Sequence, residues 1–116
     1  MQALPQVAPM VEAAGGKFAF ISSSMAQIGH VDDDHSWVYR CSKAALNMAV
    51  AAARHGWPQA ILLTMDPGWV RTEMGGSDAP LSVEDSVRGM RATLAGASAA
   101  DSGQLLCHDG RRADSW

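Results

Sequence analysis

Hydrophobic positions along the chain gather into three short runs, separated by longer stretches in which apolar residues recur at helical spacing. The first run, KFAFIS at 17–22, follows Gly15-Gly16 and precedes a serine cluster, a pattern that suits a strand buried on both faces. The second is AILLTM at 60–65, set between Pro58 and Asp66-Pro67-Gly68. A weaker third run is QLLCH at 104–108, bounded by Gly103 and Gly110. Between the first two runs, residues 37 to 55 carry Ala, Leu, Met and Val on more than one face with no Gly or Pro. This predicts a mostly buried helix, stopped at Gly56. Between the second and third runs, Ser82 with Asp85 three residues later reads as a capping box, and Val83, Val87, Met90 and Leu94 follow at helical spacing. A helix over 83–95 is predicted. Residues 2–13 are also predicted to be helical, with Pro5 and Pro9 weakening the first turns.

Strands alternating with helices long enough for crossovers imply parallel strands joined by right-handed connections. The predicted class is therefore α/β, a partial Rossmann-like sheet of three parallel strands with crossover helices. With 116 residues the chain is one domain's worth, and no repeat, linker or low-complexity tract divides it. The DDD run at 32–34 reads as a solvated loop.

Charge and composition narrow the partners. A net charge of -3 supplies no basic field for nucleic acid or an anionic membrane. Residues 1–16 have neither a positively charged start nor a long apolar run, so neither a signal peptide nor a membrane span is expected, and a cytoplasmic location is. Cys41 and Cys107 read as reduced packing thiols, and His30, His35, His55 and His108 show no metal-ligand spacing. No metal site is expected.

One stretch changes this bland picture. YRCSK at 39–43 sets Tyr39 and Lys43 four positions apart in the central helix, on one face. A free phenol holds its proton at neutral pH, and a nearby ammonium favours the phenolate, which is what a tyrosine acid/base requires. A hydroxyl donor is also needed to hold a substrate oxygen, and Ser22, Ser23 and Ser24 stand at the end of the first strand. A serine hydrolase built on the same serines with His30 or His35 is disfavoured, because the chain has no G-x-S-x-G elbow.

ISSSMAQIG at 21–29, YRCSKAALNM at 39–48 and DPGWVRTEMGG at 66–76, in this order, resemble three successive landmarks of the short-chain dehydrogenase/reductase family. The ending, DSGQLLCHDGRRADSW, is similar to the last strand and tail of its sniffer-like and C-factor-like subgroup. The resemblance covers essentially the whole chain and implies an oxidoreductase that interconverts a small-molecule carbonyl and alcohol with NAD or NADP. By position it implies Tyr39 as the acid/base, Lys43 as the residue that tunes it and binds the nicotinamide ribose, and Ser23 as the donor to the substrate oxygen. Ser22 and Ser24 stay open as alternatives. It further implies that Pro67, Gly68 and Val70 line the nicotinamide pocket and that Thr72 reaches the carboxamide or a phosphate. A homo-oligomer packed through the helix at 37–55 is implied as well.

Three departures stand beside the resemblance. No glycine-rich turn follows the first strand, and the asparagine-rich segment of the family is missing. The chain is therefore expected to be the carboxyl-terminal portion of one such domain, lacking the dinucleotide-binding half. Ala26 also stands where a glycine is usual. The expected consequence is an open edge at Phe18–Ile21, and the competing reading is a non-catalytic remnant acting as a dimerising interaction or signalling module.

Overall fold

The computed structural model describes residues 3–116. Helix α1 spans Leu4–Ala14, strand β1 Lys17–Ile21, helix α2 Trp37–Gly56, strand β2 Ile61–Asp66, helix α3 Val83–Gly96 and strand β3 Leu105–Cys107, with short 3-10 turns at Ser24–Ala26, Ile28–His30 and Ala99–Asp101. All six predicted elements are present. The predicted helix start at residue 2 lies outside the described residues. Pro5 occupies the first turn of α1, where no N–H is needed, and Pro9 is carried inside the helix. Gly56 is the last residue of α2 rather than a stop beyond it.

The three strands are parallel in the order β1-β2-β3. Successive residues of β2 face opposite layers, as the strand period requires. Leu62 joins Leu4, Ala8, Val50 and Ala53 in a core beneath α1 and α2, whereas Leu63 and Met65 join Leu106 and Ala97 beneath α3. The sheet is thus covered by two helices on one side and one on the other. β2 is fully buried along its centre because it alone has strand neighbours and helices on every side.

Three expectations need correction. β1, which reads locally as buried on both faces, instead exposes Phe18 and Ile21, in line with the open edge that the resemblance implies, because its outer edge has no strand neighbour among the described residues. α2 is not mostly buried: Asn47, Val50 and Ala53 are its buried residues, while Val38, Cys41, Ala45, Met48 and Ala52 form an uncovered, uncharged stripe. Cys41 is accordingly an exposed thiol, and only half-buried Cys107 packs, with burial pushing its thiol above the ordinary value. The caps also differ in detail. Ser82 accepts from the Asp85 N–H at 3.0 Å, but the Asp85 carboxylate goes to Arg88 at 2.9 Å, and the reciprocal box forms at Ser98 and Asp101 instead. No helix is long and apolar enough to cross a membrane among the described residues.

After β3 the chain turns at Gly110 and doubles back. Cys107 N donates to Arg111 O at 2.7 Å, and Ala113 N donates to Leu105 O at 2.9 Å. The tail then clasps the loop after β1. Gln27 Nε2 donates to Asp114 Oδ1 and to Ser115 O, His30 Nε2 lies 3.1 Å from Asp114 Oδ1, and the N–H groups of Ile28 and Gly29 point at Trp116 O. Three carboxyls in this region sit below the ordinary value of 3.8: Asp101 through the Ser98 N–H and then Arg112, Asp109 through Arg111, and Asp114, where the charge of His30 and the Gln27 hydrogen bond outweigh burial. A lowered folded-state value contributes stability that is present above 3.8 and is lost as pH falls through the lowered values. Acidification below about pH 4 is therefore expected to loosen the tail, read as faster amide exchange at Ile28 and Gly29 than at β2.

Candidate active site

The carboxyl ends of β1 and β2 and the start of α2 enclose a cavity of about 890 Å³. This is where an open parallel sheet places its ligands. Ser22, Ser23, Ser24, Tyr39, Pro67, Gly68, Val70 and Thr72 all line it. Seven of the expected site positions and alternatives thus share the cavity with Tyr39. Lys43 does not line it: its ammonium donates to Ile21 O at 3.1 Å and lies 5.7 Å from the centre of the Tyr39 ring.

The serines separate by their hydrogen bonds. Ser22 is buried, and its hydroxyl donates to Asn47 Oδ1 at 2.7 Å, so its hydrogen is committed within the protein. Ser23 has extended backbone, and its oxygen accepts from the Met25 N–H at 3.0 Å, which caps the 3-10 turn and leaves its own hydrogen free to donate. Ser24 is exposed at the start of that turn. Ser23 is therefore the one of the three that is both half-buried on the cavity and unspent as a donor. Ser36, immediately before α2, also lines the cavity and sits at φ 56°, a backbone conformation costing on the order of 1–3 kcal/mol for a residue with a side chain.

The turn after β2 is over-determined. Asp66 Oδ1 accepts from the Gly68 N–H at 3.0 Å, and buried Ser86 on α3 donates to Pro67 O at 2.7 Å. Gly68 has φ 81°, and a Cβ there would meet Leu81 Cδ1 at 2.5 Å and His108 Nδ1 at 2.9 Å. Further along, Thr72 Oγ1 accepts from the Gly75 N–H at 3.0 Å, and Trp69 Nε1 donates to Gly75 O at 2.8 Å, which closes the 69–75 loop over the cavity.

Sequence reasoning missed most of the apolar wall. Met25, Trp69, Met74, Val83, Val87 and Met90 form that wall, His35, Gly75 and Ser86 also line the cavity, and Asp66 is its one carboxylate. Val83, Val87 and Met90 were legible as a helical stripe, but a stripe does not say whether it meets a core or a cavity. Ser86 and Asn47 left no signal as singletons, although Asn47 stands four residues beyond Lys43 on the same face.

A parallel half-sheet, with a strand-end serine and a helix-borne tyrosine on one cavity and a lysine one turn along, resembles one half of the α/β domain of short-chain dehydrogenases/reductases. No family model matches the chain. Among curated proteins the chain is 38% identical over 96 residues to the C-signal of Myxococcus xanthus, a match covering 81% of this chain and 58% of that protein. Among solved structures it superposes on the carbonyl reductase Sniffer of D. melanogaster with a TM-score of 0.90 at 28% identity, covering 97% of this chain and 51% of that one. The NADPH-bound carbonyl reductase from chicken fatty liver gives a TM-score of 0.80 at 31% identity, covering 99% and 50%. The chain spans about half the length of these structures.

Proposed function

We propose that this chain carries the proton-transfer and nicotinamide-facing half of an NAD(P)-dependent carbonyl reductase. The observation that supports it most is the shared cavity, which holds Tyr39, a serine with a free hydroxyl hydrogen, and a glycine turn that no side chain fits. In this reading Ser23 donates to the substrate oxygen and Tyr39 protonates it. Lys43 holds positive charge beside the tyrosine ring and reaches toward the ribose. A nicotinamide cofactor, when bound, supplies the hydride.

The residues fit the nicotinamide end of such a cofactor. Gly68, which has no Cβ to strike Leu81 and His108, lets the Pro67–Val70 turn pack closely as one wall of the cavity, and Thr72 stands on the same wall. For the pyrophosphate the fit is poor, because β1 is followed by three serines and β2 by Pro67-Gly68, and neither turn is glycine-rich. Titration with NADPH and NADH, followed by nicotinamide fluorescence, tests this directly. Saturable binding, weakened by displacement with free nicotinamide mononucleotide, is the expected result. Absence of any saturable response up to millimolar cofactor would sink the reading.

The uncharged stripe of α2 and the bare edge of β1 favour a second reading, a dimerising interaction or signalling module without turnover. The name of the bacterial relative, C-signal, points the same way. Association through α2 accompanies either reading, since an uncovered apolar stripe gives two helices a face to pack through. A homo-oligomer in a cytoplasmic setting, acting on small molecules, completes the proposal.

A further inference from the structure

α2 carries a third polar side chain on the face of its tyrosine and lysine. Tyr39, Lys43 and Asn47 recur at intervals of four, and this face meets the end of β1. Lys43 Nζ donates to Ile21 O at 3.1 Å, and Asn47 Oδ1 accepts from the Ser22 hydroxyl at 2.7 Å. Consecutive residues of the strand end are thus held by consecutive turns of the helix. Asn47 is 3% exposed and Ser22 is 2% exposed, so water does not compete for the bond. The other half of the amide is unsatisfied: Asn47 Nδ2 has no hydrogen-bond partner among the described residues. An unpaired buried donor costs about 1–3 kcal/mol, which a leucine of similar size would avoid. Packing alone therefore does not account for an asparagine at this position.

We propose that Asn47 is a positioning residue, whose bond to Ser22 fixes the end of β1 against α2 and thereby sets the separation of the Ser23 hydroxyl from the Tyr39 phenol. Ser23 is the next residue in the chain after Ser22, and Tyr39 lies two turns from Asn47 on the same helix. A fixed distance at positions 22 and 47 is transmitted to the cavity by one peptide unit on one side and by rigid helix on the other. The inference rests on the assignment of Ser23 and Tyr39 as the reacting pair.

The chain has one tyrosine, so isotope labelling of tyrosine rings gives resonances from Tyr39 alone. Replacing both partners, as Ser22→Ala with Asn47→Leu, leaves neither group unpaired and is expected to be close to neutral for stability. The double variant should melt near the parent, while its Tyr39 ring resonances shift or broaden. In carbonyl reduction with NADPH, kcat should fall by about 100-fold with KM nearly unchanged, the effect of a misplacement of about 1 Å. Ser22→Thr, which keeps the hydroxyl, should retain the parent's resonances and kcat. A folded double variant with ring resonances and kcat equal to the parent's overturns the proposal. Where the double variant does not fold, Ser22→Ala alone carries the same comparison. A parent without Tyr39-dependent turnover defeats the enzymatic assignment, and the ring resonances still decide whether Asn47 sets the position of Tyr39.

Discussion

Replacing Tyr39 with phenylalanine is expected to lower carbonyl reduction by about 10²–10⁴-fold, the range typical of losing a positioned acid/base group. The substitution removes one oxygen from a half-buried side chain whose hydroxyl makes no hydrogen bond among the described residues. Stability should therefore stay within about 0.5 kcal/mol of the parent. The ring remains, so cofactor binding by the wall opposite should persist. Steady-state rates with NADPH and a carbonyl substrate, set beside a thermal melt, give the comparison. A phenylalanine variant that keeps most of the parent's rate removes Tyr39 from the chemistry.

The second large effect concerns Gly68. Alanine there must adopt a left-handed conformation, at roughly 1–2 kcal/mol. Its Cβ must also displace Leu81 at 2.5 Å and the His108 ring at 2.9 and 3.0 Å, and overpacking of this kind costs about 1–3 kcal/mol. Together these predict a loss of about 2–5 kcal/mol, or a melting temperature lower by about 10–20 °C for a chain of this size. Leu81 and His108 belong to segments that flank the cavity, through the Leu81–Val70 bridge and the His108 N–H to Asp66 O bond of 2.9 Å, so the site should suffer with the fold. Gly56→Ala is the control. No atom lies within 4 Å of its added Cβ, and it sits at the end of a helix, so its melting temperature should hold or rise. Equal melting temperatures for Gly68→Ala and the parent would refute the argument.

Much of the architecture was readable because period and punctuation agreed. The apolar runs at 17–22, 60–65 and 104–108 each became a parallel strand within a residue or two, since glycines and prolines bounded them. Burial was less readable, for a physical reason. KFAFI has the composition of an interior strand, and local sequence does not specify the neighbour that would cover Phe18 and Ile21; their open edge was legible only through the resemblance. The same holds for Val38 and Met48 on α2, which read as core and stand in the open. In the site, spacing correctly put Tyr39 and Lys43 on one face, but a shared face is not a shared cavity, and the ammonium turns to Ile21 O. Among three adjacent serines the resemblance favoured Ser23 but left Ser22 and Ser24 open. The Ser22 bond to an asparagine 25 positions away, the Ser23 cap on the Met25 N–H and the exposure of Ser24 tell them apart.

The unoccupied flank of β1 makes dilution an experimental variable. If copies of the chain pair along this edge, which has no strand neighbour among the described residues, they gain stability through mass action, and the melting temperature is expected to rise with protomer concentration.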